Sequence, residues 1–135
     1  MKSFSDRCKE LFVEAEKLAK VSNHLYIYPE HLALTIFSSQ SYLIKKILEK
    51  INLDVVSIIS DIEKKISKLP IIKSEIKEIK IHHETNKLLN HAVYLANENG
   101  DDLVAEDFLF LALISEKNSL SDIFESNKIN KEKLK

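Results

Sequence analysis

The feature that most narrows the fold is a repeat. Leu88, Ala92, Leu95 and Ala96 stand 77 residues after Leu11, Ala15, Leu18 and Ala19. The same offset carries Leu32 onto Leu109, Leu34 onto Leu111, Ser38 onto Ser115 and Leu43 onto Leu120. It also pairs Ile27 with Val104 and Ile47 with Phe124, and it runs without a gap through two loops. An offset this constant marks an internal duplication, in which two copies of one multi-helix unit pack around a pseudo-twofold axis.

Each copy reads as helices. Leu11, Ala15, Leu18 and Ala19 recur at the i, i+4, i+7, i+8 spacing of a single helix face. Ser5 supplies an N-cap oxygen ahead of them. Pro29 and Glu30 suit the first turn of a second helix, whose dense Leu32, Leu34, Ile36 and Phe37 predict a central position. Ser41 opens a third helix, "YLIKKILEKI", and a fourth runs from Asp54 to Lys68 before Leu69-Pro70 ends it. The stretch "IIKSEIKEIKI" (71–81) fits neither the helical nor the strand period and predicts an exposed connector with partial structure. One glycine and two prolines in 135 residues are too few for sheets joined by tight turns. The class is therefore all-α, with eight helices in two pseudo-twofold-related four-helix repeats. A single domain, 1–135, divides into repeat 1 (4–69), a connector (70–81) and repeat 2 (82–135).

Charge and cysteine usage narrow the function. Twenty Lys and Arg face 21 Asp and Glu, so the basic stripe of a nucleic-acid binder is missing. Cys8 stands alone, which excludes a disulfide framework and suits a reducing compartment. "MKSFSDRCKELF" is charged before it becomes apolar, unlike a signal peptide. No apolar run approaches the ~20 residues that span a bilayer. The expected location is cytoplasmic, with no membrane partner.

Catalytic signatures are equally sparse. A phosphate-cradling loop needs several glycines and this chain has one. His24, His31, His82, His83 and His91 show no zinc spacing and read as loop and helix-start residues, so no metal is expected. Cys8 lies near a helix start, where the dipole can lower a thiol pKa, but nothing in the sequence places a base beside it. Asp101 and Asp107 could form an acid pair only within a cleft. No catalytic residue is expected.

Four carboxylates crowd "NGDDLVAEDFLFLALI" (99–114). Under the repeat this is the second copy of "SNHLYIYPEHLALTIF". Gly100 falls at the end of a long helix, where a left-handed residue is wanted. Glu106 and Asp107 fall in the first turn of a buried helix, where carboxylates gain roughly 0.3–1 kcal/mol each from the helix dipole. That accounts for Glu106 and Asp107 and leaves Asp101 and Asp102 unexplained. Apolar positions near helix starts, among them Phe4, Tyr26, Tyr28, Leu89 and Phe108, are core or, where exposed, a peptide-binding surface.

The stretches "FSDRCKELFVEAEKLAKVSNHLYIYPEHLALTIF" and "LLNHAVYLANENGDDLVAEDFLFLAL" together resemble the N-terminal domain of Clp ATPases. With "ISKLPII" closing the first half, the chain is most similar to the ClpB type, a protein disaggregase. The resemblance implies a mobile domain tethered to AAA+ modules that form a hexameric ring. ATP and magnesium would bind those modules and not this domain, so no cofactor and no enzymatic activity are expected here. It implies capture of unfolded or aggregated polypeptides for delivery to the ring, together with the DnaK chaperone system, and a monomeric state for the isolated domain. The substrate-contact positions map onto Ser5, Asp101 and Asp107, and Leu89 and Phe108 are the apolar candidates beside them. His82 stands where the family starts its fifth helix with serine, which implies a weaker cap. The alternative within the family is adaptor docking of the ClpA or ClpC type.

Overall fold

The computed structural model describes residues 3–39, 41–51 and 54–127. Seven helices and four two-residue strands lie among them. In chain order these are β1 (Ser3–Phe4), α1 (Asp6–Val21), β2 (Tyr26–Ile27), α2 (Pro29–Phe37), α3 (Tyr42–Ile51) and α4 (Val55–Ser67). The second half follows with β3 (Lys80–Ile81), α5 (His83–Glu98), β4 (Leu103–Val104), α6 (Glu106–Ser115) and α7 (Ser121–Ser126). An eighth helix in the lysine-rich end would fall on residues 128–135, outside the described residues.

The duplication is visible at every level. Adding the 77-residue offset to α1 gives the bounds of α5, and β1 and β2 land on β3 and β4. Both long helices end on a left-handed residue, Asn23 (φ 58°) in the first copy and Gly100 (φ 75°) in the second. Both are capped by a side chain at the same place. Ser5 Oγ accepts from Cys8 N–H (3.2 Å), and His82 Nδ1 accepts from Glu84 N–H (3.2 Å). The imidazole thus caps α5 at the position equivalent to Ser5.

The repeats hold each other by exchanged strands. β1 pairs in parallel with β4 of the other copy, Ser3 beside Leu103 and Phe4 beside Val104. β2 pairs with β3, Tyr26 beside Lys80 and Ile27 beside Ile81. The repeat offset converts one pairing into the other, so the two are a twofold set. Backbone bonds from Ser5 N–H to Val104 O (2.9 Å) and from His82 N–H to Ile27 O (3.2 Å) extend the reciprocity. Side chains add further ties across the axis. Ser41 donates to Glu106, and Ser119 Oγ donates to Glu30 Oε1 (3.0 Å).

Packing follows the apolar stripes. Cys8, Leu11, Ala15 and Ala19 of α1 are buried, and so are Thr85, Leu88, Ala92 and Ala96 of α5. The alanines let α1 lie close on α2 and α5 close on α6. Helices α2 and α6 are central. Leu32, Ala33 and Ile36 of the first and Phe110, Ala112 and Leu113 of the second have no solvent exposure. Each central helix also touches the other copy's long helix.

Gly100 offers a direct check on the helix end. A Cβ built there meets nothing within 4 Å, so only the positive φ opposes a side chain. Gly100→Ala is expected to lower stability by about 1–2 kcal/mol, read as a lower urea midpoint at unchanged slope.

Candidate functional site

Each long helix carries an apolar residue off its buried stripe. Phe12 of α1 and Leu89 of α5 are equivalent under the repeat and are both half-buried. They face a common cavity of about 360 Å³, which Phe4, Cys8, Lys9, Val13 and Leu109 complete. A second recess of about 560 Å³ shares Phe4, Lys9 and Leu89 with it and continues past Asn86, Asn90 and Val93. Together they form a trough walled by α1 and α5, with β1 at its margin and α6 beneath. Its central lining is apolar.

Carboxylates lie near enough to Cys8, on the trough wall, to act on its thiol. Asp107 lies in the first turn of α6 and is half-buried, and burial pushes its carboxyl pKa up. The negative charges of Asp101 and Glu106 push the same way, while a bond from Phe108 N–H to Asp107 Oδ1 (3.0 Å) opposes them. Asp101 is held in its loop by Asn99 Nδ2, which donates to Oδ2 (2.6 Å). Cys8, on the trough wall, has its thiol pushed up to about 11, first by burial and then by Glu106 and Asp107. Ser5, whose Oγ accepts from Cys8 N–H, opposes that shift. Ser5 and Asp107 thus both act on Cys8 of the trough wall, and Asp101 acts on Asp107, while none of the three is among the residues lining the two cavities.

The five site residues named from the sequence fare unequally. Leu89 lines the trough at its centre. Asp101 acts electrostatically on Asp107, and Asp107 and Ser5 both act on Cys8, but none of the three lines the trough. Phe108 packs partly buried against the core and is not among the residues lining the trough. Phe12, Val13, Asn86 and Val93 were missed. The signal for Phe12 lay in the repeat itself, because it matches Leu89 at a position outside both buried stripes.

Cys8 is a free, buried thiol. A helix start can lower a thiol pKa, but here desolvation dominates and the pKa rises. With the thiol 2% exposed, its alkylation by iodoacetamide at pH 8 is expected to be at least about a hundredfold slower than that of an unstructured cysteine. The check is a labelling time course by mass spectrometry, repeated in denaturant, where the rate recovers.

The histidines split into two groups. His24 Nδ1 and His31 Nε2 lie 2.8 Å apart, both buried, and His31 Nδ1 accepts from Tyr28 N–H (3.0 Å). That acceptor role puts the His31 proton on Nε2, which donates to His24. His82 and His83 sit at the start of α5, as expected, whereas His91 lies within α5 with Nδ1 3.6 Å from Glu116 Oε2. Among the described residues no three His, Cys, Asp or Glu side chains are placed to hold a metal ion, and no helix is long and apolar enough to cross a membrane.

These features define a class: a duplicated helical domain whose halves trade strands and leave an apolar trough between equivalent helices. The chain belongs to the Clp repeat (R) N-terminal domain family, which it matches over residues 3–127. Chaperone protein ClpB of Pseudomonas putida is 26% identical over 90% of this chain, which spans 14% of that protein's length. Among solved structures, the Hsp104 N-terminal domain from Candida albicans has a TM-score of 0.85 at 22% identity, covering 98% of this chain and 87% of that one. A ClpV N-domain in complex with a VipB peptide has a TM-score of 0.73 at 18% identity, covering 98% and 82%.

Proposed function

We propose that this domain is the substrate-binding N-domain of a ClpB-type ATP-dependent disaggregase. It engages exposed apolar segments of unfolded or aggregated polypeptides in the trough between α1 and α5 and passes them to an AAA+ ring. The observation that carries this reading is the apolar lining around Phe12, Val13 and Leu89. An unfolded chain supplies the matching apolar side chains, and a folded one buries them. Seating two such side chains gains roughly 3–6 kcal/mol before ordering costs, which corresponds to Kd values from tens of micromolar to several millimolar, weakened further by those costs. Weak, fast binding suits a domain that hands its cargo on.

ATP and magnesium belong, in this reading, to ATPase modules outside the chain, as do hexamer formation and cooperation with the DnaK system. A second reading draws support from the ClpV N-domain held with one defined partner peptide. There the trough docks a particular partner, as an adaptor-binding ClpA- or ClpC-type domain would. Fluorescence anisotropy separates the two. A labelled polypeptide kept unfolded is expected to bind while its native form does not. Binding confined to one partner, with no response to unrelated unfolded chains, overturns substrate capture in favour of docking.

A further inference from the structure

β1 has a strand partner on one side only. Its ladder with β4 is parallel, and Ser5 N–H donates to Val104 O (2.9 Å). In a parallel pair, alternate residues of a strand turn their backbone groups toward the partner. Ser3 and Ser5 therefore face β4, and the N–H and C=O of Phe4 between them point the other way. The repeat-equivalent ladder shows the same alternation. Lys80 N–H donates to Leu25 O (3.0 Å) and His82 N–H to Ile27 O (3.2 Å), on either side of Ile81. Among the described residues no hydrogen bond engages the outward backbone groups of Phe4.

Beyond that edge lies the trough. Ser3 and Phe4 line the recess of about 560 Å³, whereas Leu103 and Val104 of β4 line neither cavity. The trough thus opens on the side of β1 away from β4. Its facing wall is α5, through Leu89 and Val93, and a helix has its backbone bonded internally. A free donor and acceptor therefore stand beside an apolar recess, the template on which a further strand forms. Ile81 repeats the edge but lines neither cavity. Lys9 is the one charged side chain lining both recesses, and among the described residues it has no ion pair.

Resting on the substrate-binding reading above, we infer that the trough takes its segment in extended form, as a third strand added to the free edge of β1. Backbone groups of the segment bond to the N–H and C=O of Phe4, and side chains at every second position enter the recess against Leu89. The occupant is an unfolded segment with apolar residues at alternate positions and a carboxylate within reach of Lys9. Helices and paired strands of a folded protein have already used their backbone groups. The edge therefore selects unfolded chain by its backbone as well as by its side chains.

The test uses a short peptide with Leu, Ile and Val at alternate positions, polar residues between them and a glutamate at one end. It is compared with two N-methylated forms, one methylated at the apolar positions and one at the polar positions. In an extended chain these two sets of N–H groups point to opposite edges. Methylation of one set is expected to weaken binding to this chain at least about tenfold, and methylation of the other to leave it within about threefold. Solvent exchange of the Phe4 amide, read by NMR, should slow at least about tenfold on saturation, with that of Ile81 unchanged. Exchanging the glutamate for lysine should weaken binding about threefold at low salt. Equal affinities of the two methylated forms, or a Phe4 amide that exchanges as before, overturn strand addition and leave the trough as an apolar peptide site. Equal or tighter binding by the lysine form overturns the carboxylate preference. Failure of the unmethylated peptide to bind removes the trough as a peptide site and the inference with it.

Discussion

Lowering the pH from 7 to 4 is expected to remove roughly 3 kcal/mol of stability through one residue, His31. It has no solvent exposure and its pKa is lowered to about 4, by burial first and then by the neighbouring His24. Above the unfolded value of 6.5 both states hold it neutral, and it costs nothing. Between 6.5 and 4 the unfolded chain takes a proton that the folded chain refuses, so stability falls by about 1.4 kcal/mol per pH unit. Below 4 the folded state takes it too and the loss levels off. His24, also lowered by burial, acts in the same direction. Asp107, raised by burial, acts in the opposite one, since its folded form takes up a proton first as pH falls.

A substitution isolates the His31 contribution. His31→Gln can still accept from Tyr28 N–H, in the manner of a capping-box glutamine, and still donate to His24 Nδ1. It does not titrate. Urea unfolding of both proteins from pH 7 to pH 4 should show a steep loss for the native chain and a shallower one for His31→Gln. Parallel curves would mean that the histidine pair is not held neutral as its geometry requires.

Loss of peptide binding in a Phe12→Asp, Leu89→Asp double variant is the second large effect. Each side chain is half-buried on a helix surface, so the fold tolerates the change better than at the fully buried Leu88 or Ala15. Each apolar contact is worth roughly 1.5–3 kcal/mol, and a carboxylate there must also be desolvated by an apolar ligand. Removing both should weaken binding of an unfolded polypeptide by at least about a hundredfold, with the far-UV circular dichroism unchanged. Asp107→Asn, outside the cavity lining, should change affinity only a few-fold and mainly through salt dependence. Equal affinity for the double variant and the native chain would remove the trough from the account.

Much of the fold was legible because helix signals are local. Ser5, Pro29, Ser41 and Asp54 mark starts that the structure keeps, and the constant offset made the second copy readable from the first. The exchanged strands were not legible, since two residues are too few to show a strand period and their partners lie far along the chain. Lys80 and Ile81 appeared only as the end of an ambiguous connector. The seryl–carboxylate ties of Ser41 to Glu106 and Ser119 to Glu30 have no local signature either. At the site, Ser5, Asp101 and Asp107 came from resemblance and the apolar wall did not. Phe12 was hidden because a residue off one helix's stripe has meaning only once the facing helix is known. Phe108 shares with Leu89 the signature of an apolar residue near a helix start, and it packs partly buried against the core.

The central claim is that the trough between α1 and α5 is where exposed apolar segments bind. The most direct measurement is a two-dimensional amide NMR titration of this chain with an unfolded, aggregation-prone polypeptide and with a folded control. The account predicts fast-exchange shifts clustered at Phe4, Lys9, Phe12, Val13, Leu89 and Val93, extending to Asp101 and Asp107, with the unfolded chain alone. Shifts centred elsewhere, on α4 and α7 for instance, or equal shifts with the folded control, would contradict it.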